Sequence, residues 1–229
     1  MGTPAVSPDG RTIAFVAADT QQLRRLYVRQ LDSVDARVLP GTEGAVHPFF
    51  SPDGRSLGFV ASGNKLTRVD LAAGVPRALA DVGGPWHGSW SQTGTILFTA
   101  SGLRQVPANG GTPTLASSAA SHPYFLPDGK RFLARNGSKI ELDTLGSQDQ
   151  KLVLDNADSA AFIAPTPDGQ TYMFYMRSAN VIAQPFDEAK GALVGKPRGV
   201  LDYVGPVAKP ALTPTLGAPP PGTRRSPNP

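Results

Sequence analysis

Five copies of one four-residue corner recur along the chain: "SPDG" at 7–10 and 51–54, "SQTG" at 91–94, "LPDG" at 126–129 and "TPDG" at 166–169. Their third residues stand at 9, 53, 93, 128 and 168, so successive copies are separated by 44, 40, 35 and 40 residues. A period of this length marks a repeated supersecondary unit, either a solenoid or a propeller. What separates the two is whether helices or strands fill the repeat.

Strands fill it. After the corners come "TIAFVA", "SLGFVA", "TILFTA", "RFLAR" and "TYMFYM", rich in β-branched and aromatic residues. In "TIAFVA" both alternate sets are apolar, Ile13 with Phe15 and Ala14 with Val16. Such a strand belongs to a sheet covered on both faces. A second strand follows a short break in each copy ("RLYVRQLD", "KLTRVDL", "GLRQVPA", "KIELDTL", "NVIAQPF"), and a short outer one closes the unit, as in "ARVLPG" and "PRALAD". With the strand before the corner, this makes four strands in about forty residues, the size of a propeller blade. No window carries a clean 3.6-residue apolar stripe. The expected fold is all-β, a β-propeller of about five four-stranded blades.

The corner explains itself. Ser accepts a local bond at the first position of a type I turn, and Pro presets φ at the second. Asp tolerates the third position, and a left-handed Gly at the fourth makes a bulged hairpin. Pro8, Asp9, Gly10, Pro52, Asp53, Gly54, Pro127, Asp128, Gly129, Pro167, Asp168 and Gly169 are therefore read as structural. Metal ligation or catalysis by the aspartates is not needed to account for them. "SQTG" has lost Pro and Asp but keeps Gly94, as a geometric role requires.

Composition narrows the function classes. Gly 25 and Pro 23 make up about a fifth of the chain, which suits many short elements. A net charge of +4 on 17% charged residues gives no basic face for nucleic acid. The absence of cysteine excludes disulfides and thiol chemistry. No run of eighteen apolar residues and no basic-then-apolar leader is present, so the chain as written is expected to be soluble, with no membrane segment.

"FFSPDGRSLGFVA" followed by "LTRVDLAAGVPRALA" resembles the WD40-like repeat of TolB-type β-propellers, over roughly residues 3–204. "HPFFSPDGRSLGFVA", the "GGTP" at 110–113 and "AQPFDEAKGALVGKP" at 183–197 are similar to propellers fused behind bacterial serine/threonine protein kinase domains. The resemblance implies a non-catalytic sensory or partner-binding module, with a kinase domain as a candidate partner in its parent, and an extracytoplasmic setting. No kinase glycine loop, strand lysine, HRD or DFG segment is written here.

His47, His87 and His122, the only histidines, each stand four residues before a corner, at one repeat position on the innermost strand. They share a strand face with Phe49, Ser89 and Tyr124. A cluster at the channel mouth could contact a ligand. Direct shared metal ligation is disfavoured if neighbouring sheets stand about 10 Å apart, because zinc needs each nitrogen at about 2 Å. Phe50, Trp90 and Phe125 precede the corners and are expected to wedge between blades. Trp86 has no aromatic counterpart and is a candidate surface contact.

Other motifs fail. "GALVGKP" at 191–197 is one residue short of a phosphate loop, and Pro197 takes the place of its Ser or Thr. No G-x-S-x-G elbow exists. "NGS" at 136–138 reads as a hairpin turn, and no carboxylate pair can be placed in acid–base geometry. No cofactor is implied.

The expected organisation is a propeller over 1–204, with blades near 3–40, 45–80, 85–116, 121–154 and 159–204, and a disordered Pro/Gly-rich tail over 205–229. Blade five carries an insertion, "DEAKGALVGKPRG", before its outer strand. Five blades can close, but the preferred expectation is an incomplete six- or seven-bladed ring whose first and last blades expose apolar faces. The functional expectation is a binding or scaffold module, not an enzyme, taking a protein or small ligand at the propeller face. Two rivals stand beside it: a kinase's regulatory domain, and a metal-dependent propeller enzyme.

Overall fold

Each apolar run behind a corner becomes the second strand of a four-stranded antiparallel sheet, with the strand before the corner on its inner side. The computed structural model describes residues 4–72, 74–83, 87–118, 120–166 and 169–201. Trp86, Pro167, Asp168 and the stretch 205–229 lie outside the described residues. Blade 1 contains β1 (Ala5–Val6), β2 (Thr12–Ala18), β3 (Arg24–Gln30) and β4 (Ala36–Val38). Blade 2 contains β5 (Val46–Phe50), β6 (Ser56–Ala61), β7 (Lys65–Asp70) and β8 (Arg77–Asp81). Blade 3 contains β9 (Gly88–Trp90), β10 (Thr95–Ala100), β11 (Gly102–Pro107) and β12 (Thr114–Ser117). Blade 4 contains β13 (Ser121–Phe125), β14 (Arg131–Asn136), β15 (Lys139–Thr144) and β16 (Gln150–Leu154). Blade 5 contains β17 (Phe162–Pro165), β18 (Thr171–Arg177), β19 (Asn180–Asp187), β20 (Ala192–Leu193) and β21 (Arg198–Leu201). Strands follow chain order within each sheet, every pair is antiparallel, and no helix occurs among the described residues. The fold is a five-bladed β-propeller.

The corners take the geometry that their residues dictate. In all five, the Gly amide donates to the carbonyl of the first corner residue at 2.9–3.0 Å, from Gly10 to Ser7 through Gly169 to Thr166. Every one of those glycines has φ between 69° and 83°. The described corner aspartates, Asp9, Asp53 and Asp128, are consumed locally. Asp53 Oδ1 accepts the Ser51 hydroxyl at 2.6 Å and the Arg55 amide at 3.0 Å. These bonds, the hydroxyl's first, hold the Asp53 carboxyl below its ordinary pKa. In the divergent third corner, Thr93 meets the Ser91 hydroxyl instead, and that hydroxyl donates to the Gly129 carbonyl of the next blade's corner at 2.5 Å.

The core lies between blades. Ala14, Leu26 and Val28 of blade 1 pack with Phe50, Leu57 and Phe59 of blade 2. Val60 and Leu66 of blade 2 meet Ile96 and Phe98 of blade 3, and Leu97 of blade 3 meets Phe125 and Phe132 of blade 4. Leu133 and Leu142 of blade 4 meet Met173 and Tyr175 of blade 5. Phe50 and Phe125 are thus the interblade wedges expected of them, and Trp90 flanks the third such cluster with the Arg68 guanidinium 5.2 Å above its ring. Among the described residues no buried cluster joins blade 5 to blade 1. Val6 and Phe162, on their innermost strands, are 57% and 49% exposed.

The insertion in blade 5 is not a simple detour. Its Ala192–Leu193 segment pairs with Phe186 and Asp187, and β21 then pairs with the other half of β19, so two short strands share the outer position.

Candidate functional site at the ring axis

Sequence reasoning set the three histidines on one repeat position, and the structure gathers their rings. The His47 and His87 ring centroids are 5.0 Å apart, and those of His87 and His122 are 4.2 Å apart and nearly parallel. Side chains reaching inward from neighbouring blades meet across a gap that the mean sheet spacing of about 10 Å does not describe. That spacing describes stacked sheets on average, whereas blades converge at the axis and bring equivalent side chains into contact. The His87 and His122 rings stack, and the His47 ring is tilted by 52° against that of His87. Among the described residues no group of three or more His, Cys, Asp or Glu side chains is arranged to hold a metal ion.

Two of the three positions are backbone specials. His47 and His122 both have φ of 51°, and the ladder of each inner strand shifts register there, between Val46 and Phe49 and between Ser121 and Tyr124. Each precedes a buried proline, Pro48 or Pro123. His87 is followed by Gly88, keeps an ordinary backbone, and its carbonyl accepts the Thr99 amide at 3.2 Å. A left-handed non-glycine residue costs about 1–3 kcal/mol and persists where its surroundings over-determine it. Here the His122 amide donates to Thr99 Oγ1 of blade 3 at 3.0 Å, while its Nδ1 lies 3.1 Å from Ser121 Oγ.

Burial keeps the imidazoles neutral. It lowers the pKa of all three, and for His87, flanked by the other two rings, the value falls to about 4. The charges of His122 and His47 would oppose protonation of His87 further. At neutral pH the stack therefore offers uncharged ring nitrogens that donate or accept according to tautomer.

Below the histidines, toward the corners, lies an axial cavity of about 700 Å³ to which all five innermost strands contribute, including Ala5, Phe49, Trp90, Tyr124 and Ile163. Phe49 covers part of it. A Cβ on Gly58 or Gly88 would come within 2.3 or 2.4 Å of the Phe49 ring, so both positions must be glycine for that ring to lie flat across them. Tyr124 spans toward blade 5 and donates its hydroxyl to the Ile163 carbonyl at 2.8 Å. Glu188, from the β19–β20 turn, is the only charged residue lining the cavity among the described residues. Neither the two glycines nor Glu188 carried a sequence signal, because their roles come from contacts across blades. Trp86 lies outside the described residues.

No family model matches the chain, and no curated protein does. Solved structures do. TolB from Acinetobacter baumannii aligns with a TM-score of 0.64 at 18% identity, over 81% of this chain and 51% of that one. The putative TolB from Agrobacterium tumefaciens gives 0.64 at 16%, over 86% and 79%. An oligogalacturonate lyase in complex with manganese gives 0.58 at 17%, over 85% and 63%. What they share with this chain is the propeller. At such identities the likeness is one of fold, and the chain spans about half the length of the first of these structures. TolB-type propellers are thus among its structural neighbours, as the repeat suggested, and a lyase stands beside them. No helix among the described residues is long and apolar enough to cross a membrane.

Proposed function

We propose that this chain is a non-catalytic binding propeller that takes a protein segment or small ligand at its axial channel. The observation that carries the reading is the convergence of all five innermost strands on one axial cavity, with the His47, His87 and His122 rings gathered at the same repeat position of three blades. Rigid blades that present loops around a concave, mostly apolar site suit recognition. Trp86 directly precedes His87 in the sequence and is proposed as a rim contact. The TolB-type neighbours support an extracytoplasmic setting, and the resemblance to kinase-fused propellers supports a sensory role in a larger signalling chain.

One observation favours a second reading, a metal-dependent propeller enzyme: the His87 ring lies 5.0 Å from that of His47 and 4.2 Å from that of His122, on a fold shared with a manganese-bound lyase. Two measurements separate the readings. Immobilised protein should recover a specific partner from a cell-envelope extract and lose it on His87→Ala. Equal recovery by both proteins, or no specific partner, counts against the binding reading. Stoichiometric metal in the purified protein, lost in the same variant, would favour the enzyme.

A further inference from the structure

A second cavity, of about 520 Å³, opens between the outer strands of blades 3 and 4, away from the axis. Its floor holds Asp143, only 5% exposed. Asp143 pairs with Phe132 in the ladder. Phe132 in turn pairs with Phe125, the residue before the corner, and the equivalent ladder position pairs Leu57 with Val69 in blade 2 and Ile96 with Val106 in blade 3. Both valines are buried in interblade cores, at 0% and 1% exposure. Blade 4 thus writes a carboxylate where blades 2 and 3 write a core valine.

That carboxylate is half satisfied. Oδ2 accepts the Gln150 side-chain amide at 3.2 Å, while Oδ1 is buried with no hydrogen-bond partner among the described residues. A buried carboxylate oxygen without a donor costs of the order of 1–3 kcal/mol, more when charged, and calls for a missing partner. One water occupies about 30 Å³, so the cavity is far larger than a structural water needs. Its size falls within the range of small-ligand pockets. Among the described residues Asp143 is the only charged one lining it, with no Lys, Arg or His there to neutralise it. Gln105 and Ser117 from blade 3 and Gln148 and Gln150 from blade 4 supply neutral donors and acceptors around it.

We infer that this interblade cleft binds an ammonium or guanidinium group, with Asp143 as its anionic anchor. The cation's N–H donors supply what Oδ1 lacks, and the amides and hydroxyls hold the rest of the ligand. Burial raises the Asp143 pKa, the Gln150 bond opposes this and the Glu141 charge adds to it, so a bound cation would also draw the carboxyl toward its ionised form. The site stands apart from the axial channel and does not depend on it.

The test uses the full chain in calorimetric titrations with two probes: agmatine, a free guanidinium amine, and the blocked peptide acetyl-Gly-Arg-Gly-amide. Saturable binding of either supports the site. Agmatine alone points to a small-molecule amine, and the peptide alone to an arginine on a protein partner. Asp143→Asn keeps an acceptor for Gln150 and should weaken binding at least about tenfold, the loss of roughly one charged contact, without lowering the urea midpoint. Ser117→Trp, which fills the cleft from the opposite wall, should block binding with Asp143 intact. The inference is overturned if neither probe binds at about 10 mM, beyond even a weak contact. It is also overturned if Asp143→Asn binds as well as the parent, or if that variant unfolds at clearly lower urea, which would make the carboxylate a structural partner.

Discussion

Blades 2 and 3 and the terminal blades 1 and 5 use nearly the same words and bury them differently. In β6 every residue from Ser56 to Val60 is buried, and in β10 Ile96, Leu97 and Phe98 are. In β2 only Ala14 is buried, and β18 alternates, burying Thr171, Met173 and Tyr175 against blade 4. The remaining face of each terminal blade carries a stacked aromatic pair: Phe15 with Tyr27, centroids 5.8 Å apart, and Phe162 with Phe174, at 5.2 Å. "TIAFVA" and "SLGFVA" are equally apolar, so place in the ring and not composition decides the burial. Cohesion in this propeller comes from the junctions between sheets, and a strand is worth what its neighbours cover.

The largest test of that difference sets one phenylalanine against another. Phe98→Ala empties a site 2% exposed between blades 2 and 3 and should cost about 3–5 kcal/mol in urea unfolding. Phe162→Ala, at 49% exposure, should cost less than about 1 kcal/mol. An equal loss at Phe162, or one that grows with protein concentration, would mean that the terminal face is covered in solution.

A steric test sharpens the axial end of the comparison. Gly58→Ala drives a methyl into the Phe49 ring and should cost about 1–3 kcal/mol. Adding Phe49→Ala should recover part of that loss, because the two changes share one contact. Gly137→Ala, whose Cβ would meet open space on a backbone with φ of 60°, should cost only about 1 kcal/mol from the left-handed strain.

Acid bears on the axis before it bears on the corners. His87 has a folded-state pKa near 4 against 6.5 for a free imidazole, so below pH 6.5 the unfolded chain binds the extra proton. Stability should therefore fall as the pH drops from 6.5 toward 4, and His87→Asn should flatten that slope in unfolding measured across the window. Asp9 and Asp53, held low by their serine hydroxyls first and backbone amides second, add their loss only as the pH falls below the ordinary carboxylate value of 3.8. A slope unchanged by the variant would remove His87 from the account. A corner should show a modest effect: Asp53→Ala, which strips two local bonds from an exposed turn, should cost about 0.5–1.5 kcal/mol in the same unfolding assay.

Much of the architecture was legible because the corner is local chemistry. Ser, Pro, Asp and Gly each satisfy one requirement of the turn, and five repetitions fixed the blade period and the strands on either side. The histidines could be placed on one repeat position for the same reason. Their contact could not, since a mean sheet spacing says nothing of how tightly inner strands approach at the axis. Gly58 and Gly88 looked like ordinary strand glycines until the Phe49 ring lay across them. Asp143 looked like one scattered carboxylate, and its oddity emerges only when the ladder aligns it with Val69 and Val106. The short β20 escaped notice because two residues carry no periodicity.

Native-state hydrogen exchange, resolved strand by strand, tests the central claim most directly. The account predicts the slowest exchange in β6, β10 and β14 and distinctly faster exchange in β2 and β18, the corresponding strands of the two terminal blades. Uniform protection across all five of these strands would contradict it.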